Sequence, residues 1–158
     1  MNATLNFASP VTALCCPSTI ADALIRPRWA IVTATIEKCG PHDSETNLRQ
    51  TEKLRAHLKR FATAFVSVSG FYKGVYQGES FLVEMGEADA RYLCTQFYQE
   101  SFLCNRGIVY TDGTLSPVSP IIPTLFGVAA TQTGNYTQIE ISKLAFSMAI
   151  DMNVRIRA

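Results

Sequence analysis

The sequence carries little charge. Asp, Glu, Lys and Arg make up 17% of its 158 residues, whereas about 25% is typical of globular proteins, and the net charge is +1. A domain without a strong positive charge lacks the electrostatic surface with which nucleic-acid-binding proteins attract phosphates. We therefore expect a polar, weakly charged surface with an apolar face available to a partner protein. At this length the chain forms one domain with its own hydrophobic core.

Histidine is also scarce, and the common catalytic and metal-binding motifs are absent. The two histidines, His42 and His57, fall in a proline-containing loop and on a charged helix pattern, where surface positions are expected. No C-x-x-C pair, H-x-E motif, Walker loop or dinucleotide-binding glycine motif occurs. We therefore predict no metal site, no cofactor and no identifiable catalytic residue, and we favour a protein that is not an enzyme.

The cysteines suit neither a zinc site nor a disulfide framework. Their number is odd and their spacing is unpaired, which predicts reduced thiols, several of them in the core: Cys15, Cys16, Cys39, Cys94 and Cys104. No stretch reaches the roughly 20 apolar residues of a membrane span, and the first residues lack the charged start of a signal peptide. We expect a soluble, cytoplasmic protein that does not associate with a membrane.

The sequence does contain a regular succession of strand-like and helix-like segments. Runs rich in β-branched and aromatic residues alternate with segments whose apolar residues recur at helical spacing. In chain order these are a strand at 29–36, a helix at 44–61, strands at 64–72 and 80–85, a helix at 87–98 and a strand at 101–104. This β-α-β-β-α-β order is the split βαβ order of ferredoxin-like domains. It predicts an α+β fold with a mainly antiparallel sheet, two helices on one face and a β-rich C-terminal addition.

These patterns divide the chain into four regions. Residues 1–26 mix small residues with prolines and are expected to form an N-terminal extension, whereas residues 27–113 form the α+β core. Residues 114–135 contain prolines spaced three apart, which is typical of an extended crossing segment. Residues 136–158 are expected to pack, as a strand or a helix, on the core or on a neighbouring chain.

The C-terminal region is compatible with two secondary structures. Apolar residues occupy every second position from Leu144 to Ile156, which predicts a strand, most clearly at residues 154–156. Residues 142–150 also satisfy helical spacing, so both structures stay open there. A strand of roughly thirteen residues would overhang a small sheet and leave an edge free to pair with another chain. On this basis we predict a homo-oligomer formed through residues 142–158.

One segment, GFYKGVYQGESFLV at residues 70–83, carries a family resemblance. Together with the strand WAIVTA that begins at Trp29, the helix that starts near Asn47 and the QES at 99–101, it resembles a family of short bacterial and phage proteins known only as a domain of unknown function. The resemblance covers about residues 28–112 and implies no known activity. It implies a polar set on neighbouring elements, which is a candidate site: Asn47, Tyr72, Glu79, Ser80 and Gln99.

This polar set has two interpretations. It could form a pocket for a small molecule or substrate, with Glu79 as the general base. It could instead be a buried hydrogen-bond network that holds the hairpin against the first helix. A separate candidate interaction surface on the same hairpin combines aromatic and basic side chains and consists of Phe71, Lys73 and Tyr76.

Three functions are consistent with these features. The first is a non-enzymatic protein-interaction factor, such as a phage or mobile-element accessory protein that acts on a host protein in the host cytoplasm. The second is a small-molecule-binding protein or enzyme that uses the polar set around Glu79. The third is an RNA or single-stranded nucleic-acid binder, which is not favoured because Glu79 and Glu84 stand where stacking aromatic residues are expected. We favour the first, since motifs for chemistry are absent.

Overall fold

The computed structural model describes residues 28–62, 64–118, 135–140, 145–148 and 150–157, together with the backbone of 124–126. These residues form two α-helices, α1 (Glu45–Phe61) and α2 (Glu87–Gln96), and a short 3-10 turn at Glu37–Cys39. Neither of the two helices is long and apolar enough to cross a membrane. The predicted N-terminal extension and most of the predicted crossing segment lie outside the described residues.

Within this part of the chain, ten strands pair into one sheet. They are β1 (Ala30–Val32), β2 (Phe65–Tyr72), β3 (Val75–Val83), β4 (Ser101–Cys104), β5 (Gly107–Tyr110), β6 (Thr114–Pro117), β7 (Thr124–Phe126), β8 (Tyr136–Ile139), β9 (Ala145–Ser147) and β10 (Ile156–Arg157). Along the sheet the order is β10-β6-β5-β4-β1-β3-β2-β8-β9-β7, and neighbouring strands are antiparallel. The α+β class, with two helices and a large antiparallel sheet, is therefore confirmed.

Helix α1 begins where its sequence predicts. Ser44 is the N-cap, and its Oγ accepts a hydrogen bond from the Asn47 N–H at 3.3 Å. Leu54 and Leu58 are buried, but Leu48 and Phe61, which share their helical spacing, are 54% and 65% exposed. In the first turn of the helix, Asn47 is buried rather than its neighbour Leu48. At the other end the Phe61 ring packs 4.7 Å from the ring of His57 rather than into the core.

The hairpin between β2 and β3 is tighter than its sequence suggested. The strands predicted at 64–72 and 80–85 leave residues 73–79 as their connection, yet β3 already begins at Val75 and Gly78 lies inside the strand with a φ of +103°. A Cβ at this glycine would lie 3.1 Å from the Cβ of His42 and 3.2 Å from the Oγ1 of Thr35. Both the backbone conformation and the close packing therefore require glycine here.

The strand register separates the two faces of the sheet into two cores. Val32 pairs with Phe81 and packs with residues of both helices, so α1 and α2 cover one face. Leu82 packs on the opposite face, where the Trp29 ring meets the edge of the Phe146 ring at 6.4 Å. Phe146 belongs to β9 and Trp29 lies just before β1, and these strands are four positions apart in the sheet. At about 4.8 Å per strand, a flat sheet would hold them roughly 19 Å apart, far more than the distance between the two rings. The sheet therefore curls over this second face into a half-barrel.

The C-terminal residues form two short strands at opposite ends of the sheet rather than one long strand. β9 pairs with β8 and β7, whereas β10 pairs with β6, with Ile156 opposite Leu115. A turn separates the two strands, because the Val154 N–H donates to the carbonyl of Asp151 at 3.1 Å. The strand predicted at 154–156 is thus reduced to Ile156–Arg157, and no thirteen-residue strand forms.

Candidate functional site

Asn47 is fully buried and holds the loop that follows β1. Its Oδ1 accepts the Ile36 N–H at 2.8 Å, and its Nδ2 lies 3.1, 3.2 and 2.8 Å from the carbonyl oxygens of Ile36, Gly40 and Pro41. Both N–H groups of the amide are therefore taken up by main-chain carbonyls. In this geometry Asn47 holds the start of α1 against the loop that follows β1.

Gln99 holds the same loop from another side. Its Nε2 donates hydrogen bonds to the carbonyl oxygens of Thr35 at 3.0 Å and Phe97 at 3.1 Å. Since Thr35 is adjacent to Ile36, the structure brings Gln99 and Asn47 together around one piece of main chain. This arrangement supports the interpretation of the polar set as a hydrogen-bond network.

The carboxylate of Glu79 faces α1 and is held by two partners. Its Oε1 accepts hydrogen bonds from Nη2 of Arg55 at 2.5 Å and from Oγ of Ser67 at 2.6 Å. Burial acts to lower the pKa of Arg55, but the hydrogen bonds to Glu79 and Glu52 outweigh this effect. The net pKa is raised, so the guanidinium stays charged. A carboxylate bound in this way ties the hairpin to the helix, and the bonded oxygen is not available to take a proton from a substrate.

The other two residues of the polar set lie elsewhere. Ser80 pairs with Val68, which places its side chain on the face of the sheet opposite to that of its neighbour Glu79. Tyr72 stands at the hairpin end, where 49% of the residue is exposed. The five predicted residues therefore do not surround one pocket.

A second carboxylate, which the sequence patterns did not single out, lies near Glu79. Strand β8 runs beside β2 and brings Glu140 into hydrogen-bond contact with the buried hydroxyl of Ser69. Burial raises the pKa of Tyr76, a hydrogen bond with Ser69 opposes this shift, and the charges of Glu79 and Glu140 add to it. The alternating serines of β2 indicated a polar face, but nothing local in the sequence shows that β8 pairs with β2.

A row of aromatic rings marks the hairpin end. Phe71 stacks on Tyr136 of β8, with ring centroids 4.4 Å apart and planes at 9°, and Tyr76 lies 5.6 Å from Phe71. Tyr76 extends the row to His42, whose ring is 4.8 Å away. Of the three residues predicted as an interaction surface, Phe71 lines a groove on the curled face of the sheet. Tyr76 contacts His42, and Lys73 is exposed at the tip of the hairpin.

The curled face of the sheet encloses an open groove of about 370 Å³. Apolar and aromatic side chains predominate among those that line it, including Ile31, Phe71, Leu103, Tyr136, Phe146 and Met148. The polar side chains in its lining are hydroxyls and amides, such as Thr33, Gln77 and Thr137. Among the described residues, no Asp, Glu, Lys, Arg or His lines this groove. An uncharged groove does not attract phosphates and suits an apolar occupant.

A smaller cleft of about 260 Å³ lies between the end of α1 and the start of α2. Leu58 and Leu93 are buried in its lining, and Arg28 and Asp89 are exposed on its rim. Exposed charges of both signs do not select one class of ligand. The groove is therefore the stronger candidate for a binding site.

The described cysteines, Cys39, Cys94 and Cys104, are free thiols. Burial raises the pKa of Cys94 to about 11 and also raises the pKa of Cys104, so neither is an effective nucleophile near neutral pH. The described part of the chain contains no group of three or more His, Cys, Asp or Glu residues that could hold a metal ion.

No protein-family model matches the sequence, and no curated protein or solved structure is significantly similar to it. Any functional conclusion therefore depends on the geometry and chemistry of the site itself.

Proposed function

We propose that this protein is a non-enzymatic binding protein whose groove takes an uncharged, apolar segment of a partner protein. The observation that carries the proposal is the chemistry of the groove, which is lined by aromatic, aliphatic and thioether side chains without a charged residue among those described. Met148 and Met152 give one side of the groove adaptable side chains, as at other protein-binding surfaces. Hydroxyl and amide groups in the lining are available to hydrogen-bond the main chain of a bound peptide.

The family resemblance of residues 28–112 favours a host protein as the partner and the host cytoplasm as the place of action. We also infer that β1 to β4 with α1 and α2 constitute a ferredoxin-like unit. The spatial order β4-β1-β3-β2, with helices on one face, supports this inference. The strands added on either side of this unit would then supply the curvature that creates the groove.

The other predicted functions find less support in the contacts. A catalytic role for Glu79 would require a substrate cavity beside its carboxylate, and Glu79 lines neither the groove nor the cleft between the helices. Nucleic-acid binding would require basic side chains beside the aromatic groove, and Lys73 at the hairpin tip is not among the residues that line it. Homo-oligomerisation stays a prediction that light scattering at tens of micromolar protein would test.

A fluorescent probe tests the groove directly. Nile red is uncharged and apolar, and we expect it to bind the wild-type protein saturably. Met148→Lys places a charge in the groove and should weaken this binding by about tenfold or more, because an unpaired charge near apolar surface is unfavourable. Leu48→Lys is the matched control, since Leu48 is 54% exposed on α1 and lines neither the groove nor the cleft between the helices. Equal affinities of the two variants would contradict the proposal.

A photo-crosslinking experiment tests the class of partner. A benzophenone amino acid at Ile108, a residue that lines the groove, should crosslink a protein from nuclease-treated host lysate. The same amino acid at Leu48 should not, and Met148→Lys should abolish the crosslink from Ile108. Crosslinks that reach only nucleic acid, or that survive Met148→Lys, would refute a groove that receives a protein segment.

A further inference from the structure

Residues 150–157 run from the groove to the far end of the sheet. Ile150 bridges to Val118, and both Ile150 and Met152 line the groove. The segment ends in β10, which pairs with β6 at the opposite end of the sheet from β9. Between Ile150 and Ile156 it belongs to no strand. Part of the groove wall is thus a segment that is tied to the sheet only at its ends.

Little apolar burial holds this segment in place. Residues 151–157 are all exposed, and Met152, Val154 and Ile156 keep 56%, 44% and 49% of their surface in solvent. Strand β10 contributes only the pairs of Ile156 with Leu115 and of Arg157 with Thr114. A segment with so few buried contacts opens more readily than the sheet beneath it.

The side chain of Arg155 joins this segment to the sheet. Its guanidinium carbon lies 3.7 Å from the centroid of the Tyr110 ring. Its Nη2 lies 3.0 Å from Oδ2 of Asp112 and 2.9 Å from Oγ1 of Thr114, and its Nε lies 3.2 Å from the same Oγ1. A planar guanidinium stacks on a ring and donates in its own plane at the same time, which a lysine ammonium cannot do.

We propose that residues 150–157 form a strap that closes over the occupant of the groove, and that Arg155 is its latch. This inference depends on the proposed binding function. Ile150 and Met152 border the groove without filling it, since about 370 Å³ stays open. The closed strap therefore adds contacts to an occupant instead of displacing it. By thermodynamic linkage, an occupant that touches the strap stabilises its closed position, and a weaker latch lowers the affinity for the occupant.

Hydrogen exchange and Nile red binding on the full chain test the strap. In Arg155→Ala, the hydrogen-bonded amides of residues 150–157, such as that of Val154, should exchange about tenfold faster or more, while the central strands keep their protection. The same variant should bind Nile red several-fold more weakly, through faster dissociation, and Arg155→Lys should fall between it and the wild type. Arg157→Ala is the matched control, because it removes the same charge two residues away and should behave like the wild type. Nile red should slow exchange of the strap in the wild type.

The outcomes separate the strap from the binding function. Equal strap exchange in Arg155→Ala and Arg157→Ala overturns the latch. Tighter Nile red binding by Arg155→Ala overturns closure, because the strap would then obstruct the groove. If Met148→Lys abolishes binding while Arg155→Ala binds like the wild type, the strap inference fails and the binding function stands. If the wild type shows no saturable binding that depends on Met148, the binding function fails and closure over an occupant fails with it.

Discussion

Replacing Asn47 with alanine removes a fully buried amide that bonds four main-chain groups of the loop after β1. The carbonyls of Gly40 and Pro41 belong to exposed residues, so water can replace the amide there at little cost. Ile36 is half-buried, so solvation of its main chain is restricted, but its carbonyl keeps the N–H of Cys39 as a donor at 3.0 Å. The loss of stability should therefore come mainly from the Ile36 N–H, which loses its acceptor.

One main-chain N–H left unsatisfied costs about 1–3 kcal/mol, so we expect a loss of about 2 kcal/mol in the free energy of unfolding. For a domain of this size, that loss corresponds to a fall in Tm of about 4–8 °C. Asn47→Asp should be at least as damaging as alanine. It keeps an acceptor for the Ile36 N–H, but it turns a carboxylate oxygen toward carbonyl oxygens that need a donor.

Urea unfolding followed by circular dichroism measures these losses, and calorimetry gives the shift in Tm. Thr46→Ala is the control, because Thr46 is exposed on the first turn of the same helix and should change stability by less than about 0.5 kcal/mol. If Asn47→Ala loses less than about 1 kcal/mol, the network does not hold the loop as argued. Asn47 would then be a candidate for ligand binding again.

Four further changes have expected outcomes. Glu79→Gln should lower the free energy of unfolding by about 1 kcal/mol in urea titrations, because a partly exposed charged hydrogen bond is lost; unchanged stability would contradict the pairing. Gly78→Ala should cost more than about 2 kcal/mol, since the positive φ and the close contacts both oppose a Cβ, and a loss below about 1 kcal/mol would show that β3 shifts freely. The Cys94 thiol should react with Ellman's reagent at pH 8 only through opening of the fold, because burial raises its pKa to about 11; rapid native labelling, mapped by mass spectrometry, would disprove its burial. Hydrogen bonds from the side chain and the N–H of Thr114 lower the pKa of Asp112 from its ordinary value of 3.8. The ionised carboxylate therefore stabilises the closed strap above pH 3.8, and this stabilisation is lost as the pH falls through the lowered pKa. After correction for intrinsic rates, exchange of the strap should therefore accelerate in acid in the wild type but not in Asp112→Asn.

Local interactions determine the parts of the fold that the sequence predicts well. The start of α1 follows from the capping hydroxyl of Ser44, which bonds an N–H only three residues away. The presence of the hairpin follows from two strand-like segments joined by a glycine-containing turn, although β3 begins earlier than predicted and the turn is only Lys73 and Gly74. In each case the residues that decide the structure are neighbours in the chain, so a single sequence is enough to locate them.

The candidate site depends instead on which face each side chain occupies and on which strands meet. Glu79 and Ser80 are adjacent in a strand, so the alternation of side chains already places them on opposite faces and argues against one shared pocket. The contact of Glu140 with Ser69 joins residues far apart in the chain, and no pattern within either strand specifies it. The uncharged groove likewise arises from curvature of the whole sheet.

The C-terminal residues show the same distinction most clearly. An alternating pattern from residue 144 to 156 suits any strand that covers an apolar face, whether it is continuous or broken. The turn at Asp151 and the separate pairing of β9 and β10 decide between these cases. Both strands find partners in their own sheet, so the overhanging strand from which the homo-oligomer was predicted does not form. A second chain that associated here would either pair with the outer edge of β10, which is an end strand of the sheet, or pack on the exposed side chains of Met152, Val154 and Ile156.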